Sequence, residues 1–183
     1  MNWNEYLNLS EKTLSEEFHC GGKIERLLHS LIGILTECDE LLENYDGSKK
    51  FDPINIKEEL GDLLWYMAIL GRDLKIDMPV KTFTKRNTNP REVIIDIARQ
   101  SLKGLDILKK KLYYNKQVEE NILTSISNSL FILIMEYAFF YDINIESSFD
   151  RNIEKLKARY GDKFESERAI NRNLTEERKI LEK

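Results

Sequence analysis

Between residues 24 and 45 the apolar positions Leu27, Leu28, Leu31, Ile34, Leu35, Leu41 and Leu42 recur every three or four residues. That spacing lines them along one face of an α-helix. Similar periodicity returns along most of the chain, and no segment alternates apolar and polar residues as a half-buried strand does. Breaks are few, because the 183 residues include only 8 glycines and 3 prolines. Gly21-Gly22 interrupts the pattern, Asp46 to Lys50 followed by Pro53 reads as a loop, and Pro79 and Pro90 bracket a connector with room for a helical turn. These breaks predict helices over about 4–19, 24–45, 54–75, 91–114, 118–141 and 147–160. Ser147 and Asp150 read as a capping box at the start of the last. A charged tail follows from residue 165, partly helical or wrapped on a neighbour. The expected fold class is all-α, in a single domain over 1–183.

Composition narrows the function. Hydrophobic residues at 42% and charged residues at 33% suit a soluble globular chain. A net charge of −4 argues against a broad nucleic-acid grip, which needs basic excess. A small triphosphate asks only for a few local cations. Cys20 and Cys38 form no CxxC and suggest reduced thiols in a cytoplasmic protein. The N-terminus lacks the pattern of a signal peptide. The longest apolar stretch, near Leu130 to Phe140, contains Glu136 and is too short to span a bilayer. No membrane partner is expected.

Two acidic pairs stand out: Glu37 with Glu40, and Glu59 with Asp62. Each is spaced i, i+3 in a predicted helix, so its members project from nearly the same side. Each borders the apolar face, where acids can line a cleft between helices. Either pair alone usually marks a solvated face. Together, on two adjacent helices, they can aim four carboxylates at one point. Such a cluster repels itself unless cations neutralise it, and Mg2+ prefers oxygen ligands. Gly61, between Glu59 and Asp62, costs its helix roughly 1 kcal/mol relative to Ala. It implies close approach of another helix or of a ligand.

A faint repeat runs through the chain. Lys75-Ile-Asp-Met echoes Asp142-Ile-Asn-Ile, and Phe83-Thr-Lys-Arg-Asn echoes Phe149-Asp-Arg-Asn. An offset of about 66 residues lays the second predicted helix on the fourth and the third on the fifth. It divides the chain into a first repeat of about 4–89 and a second of about 90–164. Glu37 then falls on Lys103, Glu40 on Asp106, Glu59 on Ser125 and Asp62 on Asn128. The second copy keeps the helical frame and loses the acids.

The run from Leu28 to Leu42, with its ExxE, and the run from Glu58 to Tyr66, with its ExxD, together resemble the MazG-like all-α nucleoside triphosphate pyrophosphohydrolases. Eighteen residues separate Glu40 from Glu59. Asn152 to Phe164 looks like that family's Asn-x-x-Lys-Leu-x-x-Arg-Tyr segment, and Ser166 to Arg178 looks like the ending of some members. The resemblance covers most of the chain from residue 24 and implies a MazG-like helical bundle.

The resemblance also implies cleavage of an NTP or dNTP between the α and β phosphates, giving a monophosphate and pyrophosphate. By position, Glu37, Glu40, Glu59 and Asp62 would hold Mg2+, with Mn2+ as a substitute. The metal would orient the triphosphate and lower the pKa of the attacking water. Glu37, Glu40 and Glu58 are candidates to take the proton of that water. Lys155 and Arg159 would supply charge to the phosphates, Asn152 and Tyr160 hydrogen bonds, and Tyr66 a nucleotide contact. A homo-oligomer, dimer or tetramer, is implied. In one-repeat members the Asn-x-x-Lys-Leu segment follows the ExxD helix directly. Here Asn87 holds that place without a Lys-Leu after it. Lys103, at the place of a lost acid, is a further candidate for the phosphates.

Other readings stay open. A helical nucleotide-binding or regulatory protein without turnover is one, although the four intact acids argue against it. A di-iron bundle is another. Glu16 and His19 form one ExxH, but such sites need the motif on two helices, and Glu25 with His29 does not supply it. His29 and Trp65 read as packed core residues. Tyr113 and Tyr114 beside Lys109 to Lys111 read as a solvated face.

Overall fold

The computed structural model describes residues 1–15, 22–47, 50–77, 89–161 and 164–182, without the side chains of Ser166 and Ala169. These residues form helices and no strands. The helices are α1 (Trp3–Lys12), α2 (Lys23–Leu42), α3 (Pro53–Leu74), α4 (Pro90–Tyr114), α5 (Glu120–Phe140), α6 (Ile145–Tyr160), α7 (Ser166–Ile170) and α8 (Leu174–Leu181).

Local chemistry fixes most boundaries. Asn2 and Glu5 form a capping box on α1. The α1 helix ends at Lys12, short of the expected residue 19, and Thr13 caps it by donating its hydroxyl to the Ser10 carbonyl at 2.8 Å. Asp52 caps α3 by accepting from the Ile54 amide at 2.9 Å, and Pro53 takes the first helical position. Lys75 ends α3 in the left-handed region at φ 55°. The expected capping box at Ser147 and Asp150 is corrected. Asn144 is the cap, accepting from the Ser147 amide at 2.8 Å, so the helix begins two residues earlier. The connector from Pro79 towards Pro90 lies largely outside the described residues.

The core joins all the longer helices. Leu27, Leu31 and Ile34 of α2 meet Leu60, Leu63 and Leu64 of α3, while Ile94, Ile97 and Leu108 of α4 join Leu130, Phe131 and Ile134 of α5. The α1 helix enters with Trp3 and Tyr6. Tyr6 stacks on Phe149 of α6 at 4.2 Å, and Trp3 meets Phe131 edge-on at 4.9 Å. One expectation about α5 is corrected. Counted from Glu120, its 21 residues are long and apolar enough, by length and composition, to cross a membrane. Leu130, Phe131, Ile134 and Tyr137 of this helix lie fully inside the core, and a buried core helix has the same composition.

Candidate functional site

The α2 and α3 helices bring the acids together. Oxygens of Glu37, Glu40 and Glu59 lie within 4.8 Å of one another, with Glu37 and Glu59 buried and Glu40 exposed. Close contact of the two helices depends on Gly33: a Cβ there would stand 2.1 Å from the Tyr66 ring. Asn55, one turn before Glu59, donates its amide to Glu59 Oε1 at 2.5 Å. The Thr36 hydroxyl reaches Glu37 Oε1 at 3.4 Å. Burial, and then the charge of Asp62, push Glu37 up from 4.5 to about 7. The same two causes raise Glu59 further. The cluster therefore holds protons where exposed carboxylates would be ionised.

Asp62 turns towards α6 instead. Lys155 Nζ donates to both of its oxygens, at 2.6 and 2.8 Å, and Asn152 Nδ2 donates to Oδ1 at 2.8 Å. The Asn152 carbonyl oxygen in turn accepts from the Tyr6 hydroxyl at 2.8 Å. Gly61 admits this packing, since a Cβ there would meet Asn152 Cβ and Nδ2 at 3.3 Å. The glycine expected to mark a close approach thus marks α6 passing over α3. Lys155 has no exposed side-chain surface and also reaches Glu58 Oε1 at 3.4 Å. Its charge is spent on carboxylates. Burial alone would lower its pKa, yet the neighbouring acids hold it raised.

The acids, but neither Lys155 nor Asn152, border a cavity of about 560 Å³. Glu37, Glu40, Glu58, Glu59 and Asp62 form its acidic wall, and Arg159 and Arg172 bring positive charge. Tyr66 and Tyr160 also line it. Two residues read as core prove to be cavity wall as well. His29 and Trp65 meet Tyr66 edge-on at 5.5 and 5.0 Å, and Trp65 Nε1 donates to Thr13 Oγ1 at 2.9 Å. Burial lowers the His29 pKa, which favours the neutral ring.

Arg159 lies under the tail. Its Nε and Nη2 bind Glu177 of α8 in a fork at 2.9 and 2.5 Å, and Arg172 Nη2 joins the same carboxylate at 2.8 Å. The two arginines hold Glu177 down to about 2 despite its burial. Arg178 ties α8 to the α3 cap by donating to Asp52 Oδ2 at 2.8 Å.

The second-half positions stay apart from this cavity. Lys103 is exposed and bonds Gln100 on its own helix at 3.4 Å. Asp106 is paired with Lys109 and Lys110, and Ser125 is exposed. Tyr113 and Tyr114 project into solvent, 78% and 74% exposed. Asn87, Glu16, His19 and Cys20 lie outside the described residues, and Cys38 is a buried free thiol.

Among the wall residues, Asn55, Arg172 and Leu174 are not singled out as site residues by the sequence. Asn55 carries a usable signal, since it stands i−4 from Glu59 on the same face. Arg172 and Leu174 fall within the run that resembles the ending of some family members, but only the path of the tail brings them to the cavity. Compared with known proteins, the chain matches no protein-family model, no curated protein and no solved structure.

Proposed function

We propose that this protein is a Mg2+-dependent nucleoside triphosphate pyrophosphohydrolase, cleaving an NTP or dNTP between the α and β phosphates. The observation that carries the reading is the convergence of Glu37, Glu40 and Glu59 on one point at the wall of a cavity that also presents arginines. The donor set suits the metal: clustered carboxylate oxygens are what a hard divalent cation prefers, and they offer no soft ligand. Glu37, Glu40 and Glu59 would hold the ion directly, and Asp62 would join from its place beside Lys155. Bound there, Mg2+ would supply charge neutralisation and a lowered pKa for the attacking water.

The remaining roles follow from the chain itself. The proton of the water goes to Glu37 or Glu40. Glu58 instead faces Lys155 and Arg172, which stand 3.4 and 3.6 Å from it. Lys155 and Asn152 position Asp62 and act on the phosphates through it. Tyr66, with His29 and Trp65 around it, offers an aromatic wall for a base. The helix boundaries support the MazG-like two-repeat reading. An offset of about 66 residues carries α3 to 119–140, where α5 spans Glu120–Phe140.

The test is pyrophosphate release from a panel of NTPs and dNTPs with Mg2+, comparing wild type with Glu59→Gln. Equimolar monophosphate and pyrophosphate from wild type, lost in the variant, support the reading and rank the bases. A folded, metal-supplied wild type that releases nothing sinks it and favours a binding protein without turnover.

A further inference from the structure

The sequence offers Lys155 and Arg159 as the cations for a triphosphate, but both are largely committed to carboxylates of the chain. Lys155 has no exposed side-chain surface and is bound to Asp62. The Arg159 side chain is 12% exposed, with Nε and Nη2 committed to Glu177. Arg172 differs. It lies between α7 and α8, lines the cavity, and keeps 37% of its side chain exposed. One of its nitrogens donates to Glu177 Oε2 at 2.8 Å, and the same nitrogen stands 3.6 Å from Glu58 Oε1, too far for a hydrogen bond.

Glu177 is the organising group. Its two oxygens accept three donors from two guanidinium groups, which sets Arg159 and Arg172 side by side. Two arginines on one carboxylate leave an excess positive charge facing an acidic wall. The backbone on the C-terminal side of Arg172 is anchored. Asn173 caps α8 by accepting from the Glu176 amide at 3.2 Å, and Leu181 is buried. The guanidinium is therefore held in place while, among the described residues, most of its donors remain available, as fork-like recognition of a phosphate requires.

We propose that Arg172 is a phosphate-binding residue of this cavity, exchanging its loose contact with Glu58 for the pyrophosphate portion of a metal-bound polyphosphate, with Glu177 as the positioning residue that aims it. The assignment rests on the pyrophosphohydrolase reading above and adds to it a ligand residue on the tail. Electrostatics favour the exchange. A polyphosphate carries more charge than Glu58, and Glu177 keeps Arg172 beside the cavity throughout.

The test measures two affinities on the full chain: Mn2+ alone, and pyrophosphate in the presence of Mg2+. Wild type is compared with Arg172→Ala and Arg172→Lys, with the melting temperature of each as a check on docking of the tail. Loss of one charge-assisted fork predicts roughly 10- to 100-fold weaker pyrophosphate binding in Arg172→Ala. Mn2+ affinity stays unchanged, and melting temperature falls by no more than the loss of one hydrogen bond to Glu177. Arg172→Lys restores part of the loss, because lysine keeps the charge without the fork. Wild-type pyrophosphate affinity in Arg172→Ala overturns the proposal. So does a parallel fall in Mn2+ affinity and melting temperature, which would make Arg172 a structural strut. A wild type that binds Mn2+ and no pyrophosphate, or neither, defeats the pyrophosphohydrolase reading and this assignment with it.

Discussion

Lys155 of α6 places its ammonium 2.6 and 2.8 Å from the two oxygens of Asp62 on α3, with no side-chain surface of its own exposed. The pair crosses from the second half of the chain to the acidic wall of the cavity. Its removal from one side leaves the other uncompensated. Lys155→Ala therefore lowers stability by about 3 kcal/mol, since breaking a buried pair costs more than the pair itself contributes. Asp62→Asn costs at least as much, because it leaves the more deeply buried Lys155 ammonium without its main counter-charge. Chemical denaturation of both single variants and of the double variant checks this. Additive effects in that cycle would show that the two groups are not coupled.

Gly33 and Tyr66 make a second close pair. An alanine methyl at 33 would stand 2.1 Å from the Tyr66 ring, which must then swing away or drive the helices apart. Gly33→Ala is expected to lower stability by about 1 to 3 kcal/mol, the usual cost of overpacking. If the ring turns into the cavity, binding of the proposed nucleotide falls as well. A melting temperature and nucleotide affinity equal to wild type would refute the close approach. Tyr66→Ala in the same background should recover the stability, because it removes the obstructing ring.

Much of this arrangement is legible in the sequence where periodicity carries it. The apolar spacing of residues 27–42 places Glu37 and Glu40 on α2, and the i, i+3 rule puts each pair on one face. Gly61 announces a close approach because a glycine inside a helix has few other reasons to be there. The partition of the acids is not legible. Asp62 stays out of the triad because α6 delivers Lys155 and Asn152 to it, and that contact spans some 90 residues. The role of the tail is equally hidden. Glu177, Arg172 and Arg178 lie in a charged ending that resembles some family members, but no pattern in it shows that α8 folds back on α3 and α6. Local pattern also misplaced the start of α6, where Asn144 proves the better cap.

The tail makes an acid-sensitive clasp. Arg159 and Arg172 hold Glu177 at about 2, below its ordinary 4.5. A carboxylate with a depressed folded pKa adds stability above its unfolded value, and that stability is lost as pH falls towards the folded one. Docking of α8 should weaken between about pH 4.5 and pH 2. Amide exchange over 172–182, followed as the pH is lowered, checks it. Glu177→Gln should open the tail already at neutral pH, by roughly 2 kcal/mol, because two guanidinium groups lose their shared anion. A tail equally protected in wild type and variant at pH 7 would count against the clasp.

The acidic triad makes the opposite prediction. Glu37 and Glu59 have folded pKa values raised above 4.5, Glu37 to about 7, by burial and by the charge of Asp62. A raised folded value means stability that is complete below the unfolded value and lost as pH rises through the folded one. Without divalent metal, the protein should therefore lose stability from about pH 5 to pH 8. A divalent cation takes the place of the protons, so the gain in melting temperature from Mg2+ or Mn2+ should be larger at pH 8 than at pH 5. Glu59→Gln removes one of the mutually repelling charges. It should raise the metal-free melting temperature at pH 8 and abolish most of the metal-dependent gain. Thermal melts of wild type and variant at the two pH values, with and without Mn2+, decide the matter. A metal-dependent gain that is the same at both pH values, or that survives in Glu59→Gln, would mean that the ion binds elsewhere.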